Sequence, residues 1–111
     1  MFNIVKVDFP YLDNPNKFKS RPVLCLTKLT GKHKLLVVSY ITTKLDEKLP
    51  SDVRLDSKAP YFKNTGLVFN SVIKLHKITT IDFGSIKCTV GTLTAAKKTE
   101  IRQKLKRLFN L

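Results

Sequence analysis

The sequence predicts a mainly β chain that ends in one helix, folded as a small barrel or a strongly curved sheet. Three observations lead there. Short runs rich in β-formers recur between Ile4 and Leu93, separated by Gly, Pro and polar clusters. Two of these runs flank a short turn that contains Gly31, which is a hairpin signal. Helical periodicity is sustained only after Thr94. Several short strands closed by a terminal helix suit a compact barrel, and closure removes most of the edges they would expose.

The elements follow in order. Ile4-Val5-Lys6-Val7-Asp8-Phe9 is a first strand, and Val23 to Lys28 a second. Thr30-Gly31-Lys32-His33 turns the chain into a third, Lys34 to Ile41, apolar on both faces at Leu35-Leu36-Val37-Val38. Ser51 to Leu55 alternates weakly and reads as an edge strand. Gly66 to Leu75 holds a further strand centred on Val72-Ile73-Lys74-Leu75. Thr79-Thr80-Ile81-Asp82 looks like the start of a helical turn that Thr80 can cap. Thr89 to Leu93 is a last short strand. Thr94 then caps a helix through about Phe109, with Ile101, Leu105, Leu108 and Phe109 at helical spacing. That helix is expected to pack on the sheet, with its lysines and arginines as a solvated face.

With 111 residues, the chain reads as one domain, 1–111, without a linker or repeat. Net charge is +13, from 21 Lys and Arg against 8 Asp and Glu. Residues 1–66 carry +6 of it and residues 67–111 carry +7, so the excess is no detachable tail. A folded domain so charged attracts polyanions. Nucleic acid is the leading partner class, an acidic protein the second and an anionic membrane surface the third. The cysteines, Cys25 and Cys88, and the histidines, His33 and His76, lie too far apart for a disulfide framework or a metal site; no metal and no cofactor is expected. Cys25 reads as a small core residue. The first eight residues carry charges where a signal peptide needs an apolar run. The longest uncharged stretch, Asn64 to Ile73, is about half of a membrane span. A cytoplasmic location is the expectation.

The most informative local feature is Lys19-Ser20-Arg21-Pro22-Val23-Leu24. A polar, basic loop from Pro10 to Ser20 ends in Arg-Pro, and an apolar run begins. Pro22 fixes its own φ and pushes Arg21 into an extended conformation. A guanidinium at the mouth of a strand suits a phosphate, being always charged and presenting a planar fork of donors. A solvated charge ahead of a strand has the same signature. Ser39-Tyr40-Ile41-Thr42-Thr43-Lys44 ends the third strand. Arg21 lies ten residues before Gly31 and Thr42 eleven after it, so a hairpin would bring them side by side. The loop also interleaves Tyr11 and Phe18 with Lys17 and Lys19, as stacking on single-stranded bases requires. Either aromatic would serve equally as a core plug.

These stretches resemble the MazF/PemK family of type II toxins. The matching segments are Ile4 to Tyr11, Ser20-Arg21-Pro22-Val23-Leu24, Tyr40-Ile41-Thr42-Thr43, and Asn70-Ser71-Val72-Ile73 with Thr79-Thr80-Ile81-Asp82. They occur in the family's order across nearly the whole chain. The resemblance implies an SH3-like barrel with a C-terminal helix and a homodimer. It implies metal-independent, sequence-selective cleavage of single-stranded RNA, and inhibition by an acidic antitoxin. Arg21 matches the family's catalytic arginine, and Thr42 its catalytic Thr or Ser. The chain departs from the pattern where Phe2-Asn3 stands for the usual Gly-Asp or Gly-Glu. It departs again where Lys74 and His76 fall at positions at which some relatives carry Arg and Asp.

Metal-free RNA cleavage needs a base near the 2′-hydroxyl, donors for a doubly charged phosphorane and an acid for the leaving 5′-oxygen. Arg21 suits the phosphorane and, always carrying its proton, is a poor base. Thr42 donates or accepts a hydrogen bond and cannot serve as a base unaided. His76 is the histidine in the matching segments, a residue type suited to general acid–base chemistry, and is expected to transfer protons. A strand histidine with a structural hydrogen bond is the other reading. Ser20, Thr43, Lys44 and Lys74 join Tyr11, Lys17, Phe18 and Lys19 as expected RNA contacts. The segment Lys44 to Asn64 is expected to form the opposite wall of the groove. The other functional class is a binding protein on the same barrel, such as a gyrase inhibitor or a plain nucleic-acid-binding module. Gyrase poisons of this fold are associated with a C-terminal tryptophan, and this chain has no Trp.

Overall fold

The computed structural model describes residues 2–10, 18–45 and 47–111, and for Pro10 and Phe18 the backbone alone. The strands are β1 (Ile4–Pro10), β2 (Phe18–Cys25), β3 (Leu35–Thr42), β4 (Asp52–Leu55), β5 (Ser71–Asp82) and β6 (Ile86–Gly91). Helix α1 (Ala95–Leu108) follows them, and short 3₁₀ turns cover Pro60–Thr65 and Phe83–Ser85. The strands form one antiparallel sheet in the order β4-β5-β3-β2-β1-β6. This is the curved-sheet form of the expected barrel, with β4 and β6 as its two edges. Among the described residues, no helix is long and apolar enough to cross a membrane.

Period-2 alternation explains why both faces of β1 to β3 are apolar. Ile4, Leu24 and Ile41 point to one face, and there join Val53, Leu55, Ile73, Leu75, Leu93 and Ile101 in a core beneath α1. Val5, Val7, Val23, Cys25, Leu36 and Val38 point to the other and pack with Ile81. Each fully buried aliphatic side chain contributes about 1.5–3 kcal/mol over an exposed one. The Thr94 hydroxyl accepts the Lys97 N–H at 3.4 Å and caps α1 as expected. Ile101 is fully buried and Leu105 packs against the same core. Leu108 and Phe109, expected on that stripe, are exposed instead. Two helix lysines act structurally: Lys97 Nζ donates to the Arg54 carbonyl at 2.9 Å, and Lys104 Nζ to the Asp52 carbonyl at 2.6 Å.

Three strands have bounds that differ from the sequence expectation. β2 begins at Phe18, so Lys19, Ser20 and Arg21 lie inside a strand and not in a loop. β1 supplies the reason, offering a partner to every residue from Phe18 to Leu24. β5 continues through Thr79 to Asp82, where a helical turn was expected, since Leu35 to Val38 of β3 pair with those residues. The cap lies at Asp82, whose carboxylate accepts the Ser85 N–H at 3.0 Å. β6 ends at Gly91 and not at Leu93. The 3₁₀ turn Pro60–Thr65 closes on Gly66 at φ 71°, a conformation that favours glycine. A side chain there would collide with the Val90 backbone.

One irregularity positions the site. Ser39 of β3 pairs with Ile78 of β5, yet its neighbour Tyr40 pairs with Lys74. Leu75, His76 and Lys77 therefore stand outside the ladder as a bulge. Bulges bend a strand and re-aim side chains, often beside a functional site.

Candidate nucleic-acid interface and cleavage site

The site begins with a proline. Phe2 and Asn3 exchange backbone hydrogen bonds with Cys25 on the β1 side, and the Leu26 N–H turns to Val37 on the β3 side. Alternation then assigns residue 22 to the β3 side. Pro22 has no N–H to offer there. The β2–β3 ladder accordingly comprises only Val23↔Tyr40, Leu24↔Ser39 and Cys25↔Val38. Beyond it the strands part. Extending the register by two residues brings Arg21 opposite Thr42, which is the juxtaposition that the hairpin spacing implied.

A cleft of about 620 Å³ opens at this parting, lined by Arg21, Pro22, Tyr40, Ile41 and Thr42. Lys44 and Glu47 line it from the segment after β3, and Lys74 and Lys77 from β5 and its bulge. Phe9 completes the lining, its ring set edge-on to Tyr40 with centroids 5.4 Å apart. Among the described residues, the lining thus holds four cations and one anion beside an aromatic surface. The Thr42 hydroxyl accepts the Lys44 N–H at 3.1 Å, which holds its lone pair on the turn and leaves its O–H free to donate into the cleft.

Lys74 is the buried cation of the set, 4% exposed. Its Nζ donates to Asp52 Oδ2 at 2.8 Å and to the Glu47 carbonyl at 3.5 Å. Asp52 faces Lys74 directly in the β4–β5 register. The same Oδ2 accepts the Leu49 N–H at 3.0 Å. Burial pushes the Asp52 carboxyl up, but the Lys74 hydrogen bond, the Leu49 N–H and the charges of Lys74 and His76 outweigh it. The group is held below its ordinary value of 3.8.

The expected site residues divide. Arg21, Thr42, Lys44 and Lys74 come together in the cleft. His76 sits half-buried in the bulge and is absent from the lining, its Nδ1 buried without a hydrogen-bond partner among the described residues. Ser20 turns away from the cleft and donates to Asp8 at 2.6 Å. That bond, aided by Lys87, holds the Asp8 carboxyl below its ordinary value. Lys19 and Thr43 are exposed outside the lining. Tyr11, Lys17 and the Phe18 side chain lie outside the described residues. Of the groups not anticipated as contacts, Phe9 and Tyr40 read only as strand residues, and Glu47 and Lys77 carried no signal in the sequence.

The family model for the PemK-like, MazF-like toxin of type II toxin–antitoxin systems matches residues 1–109. No curated protein sequence matches the chain. Among solved structures, the chain is similar to the Mycobacterium tuberculosis toxin MazF-mt6, with 25% identity, a TM-score of 0.73, and 98% of this chain and 97% of that one covered. It shares its fold with a Deinococcus radiodurans MazE–MazF structure at 19% identity and a TM-score of 0.74, covering 99% and 94%. It shares it also with an endoribonuclease in complex with its cognate antitoxin from a mycobacterial species, at 16% identity and a TM-score of 0.70, covering 99% and 93%. With the family model spanning almost the whole chain and the fold in agreement, the chain belongs to the PemK-like, MazF-like toxins of type II toxin–antitoxin systems.

Proposed function

We propose that this toxin is a metal-independent endoribonuclease that cuts single-stranded RNA to 2′,3′-cyclic phosphate and 5′-hydroxyl ends. The observation that carries the reading is the juxtaposition of Arg21 and Thr42 at the open end of the β2–β3 hairpin. The guanidinium, with Thr42 as a hydroxyl donor, neutralises the charge that develops on the non-bridging oxygens, usually the largest single contribution to such catalysis. Lys44 and Lys77 draw in the flanking phosphates, while Lys74 stays bound to Asp52. Phe9 and Tyr40 offer a surface on which an unpaired base stacks. The 2′-hydroxyl that attacks is the group that restricts the reaction to RNA. His76 is assigned no proton transfer, because it does not line the cleft.

Two of the solved structures similar to this chain pair a toxin with its antitoxin, and the same partnership is proposed here. A +13 protein is bound fastest and most selectively by an acidic partner. A disordered acidic segment laid across Arg21 and Thr42 would exclude RNA. A homodimer belongs to the same reading, by family likeness. The test is incubation of the purified protein with a long single-stranded RNA in EDTA. Discrete cuts with 2′,3′-cyclic phosphate ends support the reading; intact RNA, or metal-dependent cutting, refutes it.

A further inference from the structure

We infer that Glu47 is the general base of the cleft, the group that takes the proton from the attacking 2′-hydroxyl. The inference rests on the nuclease reading and deepens it. Four of the titratable groups lining the cleft are Arg21, Lys44, Lys74 and Lys77. Arginine and lysine side chains are cations at neutral pH, with nothing to accept a proton. The Tyr40 phenol carries its own O–H proton and is a donor before it is a base. Thr42 accepts one hydrogen bond already, and a hydroxyl is no base unaided. Among the described residues, Glu47 is the one carboxylate that lines the cleft.

The segment carrying it is also tied in place. Lys74 Nζ reaches the Glu47 carbonyl while bound to Asp52. Asp52 Oδ2 accepts the Leu49 N–H, and the Asp52 N–H donates to the Leu49 carbonyl at 3.0 Å. One buried ion pair thus holds the backbone on both sides of residue 48 against the sheet. It holds the Glu47 backbone beside the cleft that Arg21 and Thr42 also line. Asp52 and Lys74 are positioning residues in this arrangement.

The step balances without a further reagent besides water. The Glu47 carboxylate takes the 2′-hydroxyl proton, and the 2′-oxygen bonds to phosphorus. The bond from phosphorus to the 5′-oxygen breaks, its electron pair leaves on that oxygen, and solvent water protonates it. Glu47 returns its proton to water. The cyclic phosphate stays on the upstream fragment.

The experiment uses the full chain and an RNA oligonucleotide spanning a mapped cut site. Glu47→Gln should lower kcat by roughly 10²–10⁴-fold, the range for a lost general base. Affinity for the same oligonucleotide with a 2′-deoxy residue at the cut should stay within about threefold, since the loss lies in the chemical step. Glu47→Asp should recover part of the rate. On a substrate whose leaving oxygen is replaced by sulfur, which needs no acid, Glu47→Gln should remain as slow relative to wild type as on RNA. A Gln variant as fast as wild type overturns the inference, as does sulfur substitution restoring its rate, or affinity falling in step with the rate. A wild-type protein that leaves RNA intact refutes the nuclease reading itself, and the inference with it.

Discussion

Arg21 stands opposite Thr42 in the register shared by β2 and β3, two residues beyond the last hydrogen-bonded pair, Val23 and Tyr40. The two strands are neighbours at one end and cleft walls at the other. Pro22 lies at the changeover. Its ring is a reason both for the cleft and for the extended backbone of Arg21.

Replacing Pro22 tests that relation. Pro22→Val restores an N–H on the side facing β3 and suits a strand. The ladder should lengthen toward Arg21 and Thr42 and narrow the cleft. RNA cleavage should fall by roughly tenfold or more, the scale on which a small displacement of reacting groups acts, while Tm holds or rises. Amide exchange at residues 22 and 41 reads the new ladder; unchanged exchange with unchanged activity would show that the proline is not what parts the strands.

The Lys74–Asp52 pair sets an acid limit on stability. Both side chains are nearly inaccessible, at 5% and 7% exposed. Asp52 has a depressed folded-state pKa, so its contribution is complete above the ordinary value of 3.8 and is lost as pH falls through the lower folded value. Asp52→Ala leaves Lys74 buried without its partner and should cost about 3–5 kcal/mol. Denaturation curves across pH 2–6 should show the wild type losing stability below about pH 4 more steeply than Asp52→Asn. Parallel curves would mean that the pair is energetically idle.

Phe9 should matter to RNA more than to folding. It is only partly buried beside Tyr40. Phe9→Leu keeps the apolar contact and removes the ring face. Affinity for single-stranded RNA should drop by about 1–3 kcal/mol, the range for one lost stacking contact. An affinity equal to wild type would move the bases elsewhere.

His76 lies in the bulge of β5 and is not among the residues that line the cleft. In the sequence it stands out as a histidine within the matching segments, a residue type suited to proton transfer. The bulge at Leu75, His76 and Lys77 then decided which of the three side chains lines the cleft, and it is Lys77. A bulge is set by how β5 meets β3, two strands distant in sequence, and no local pattern records it. His76→Ala should therefore retain the wild-type pH–rate profile in cleavage assays. A flattened profile between about pH 5 and 8 would return the proton transfer to His76.

The rest of the site was legible in proportion to how local its causes are. Arg21, Pro22 and Thr42 are placed by one hairpin, whose turn and alternation are written in adjacent residues. The C-terminal helix was legible through Thr94 and Ile101 for the same reason, although Leu108 and Phe109 are exposed. The start of β2 was missed because Lys19-Ser20-Arg21 is polar, and only its pairing with β1 makes it a strand. Glu47 and Asp52 are not legible locally, because their importance comes from Lys74, more than twenty residues away.

The central claim is that the Arg21–Thr42 cleft cuts RNA, and single-turnover cleavage by wild type and Arg21→Ala in EDTA tests it most directly. Arg21 is exposed, so its removal should leave Tm nearly unchanged. The wild type should produce fragments ending in 2′,3′-cyclic phosphate. Arg21→Ala should produce the same fragments about 100-fold or more slowly, the scale of one lost oxyanion donor. A folded Arg21→Ala protein that cuts as fast as wild type would contradict the account.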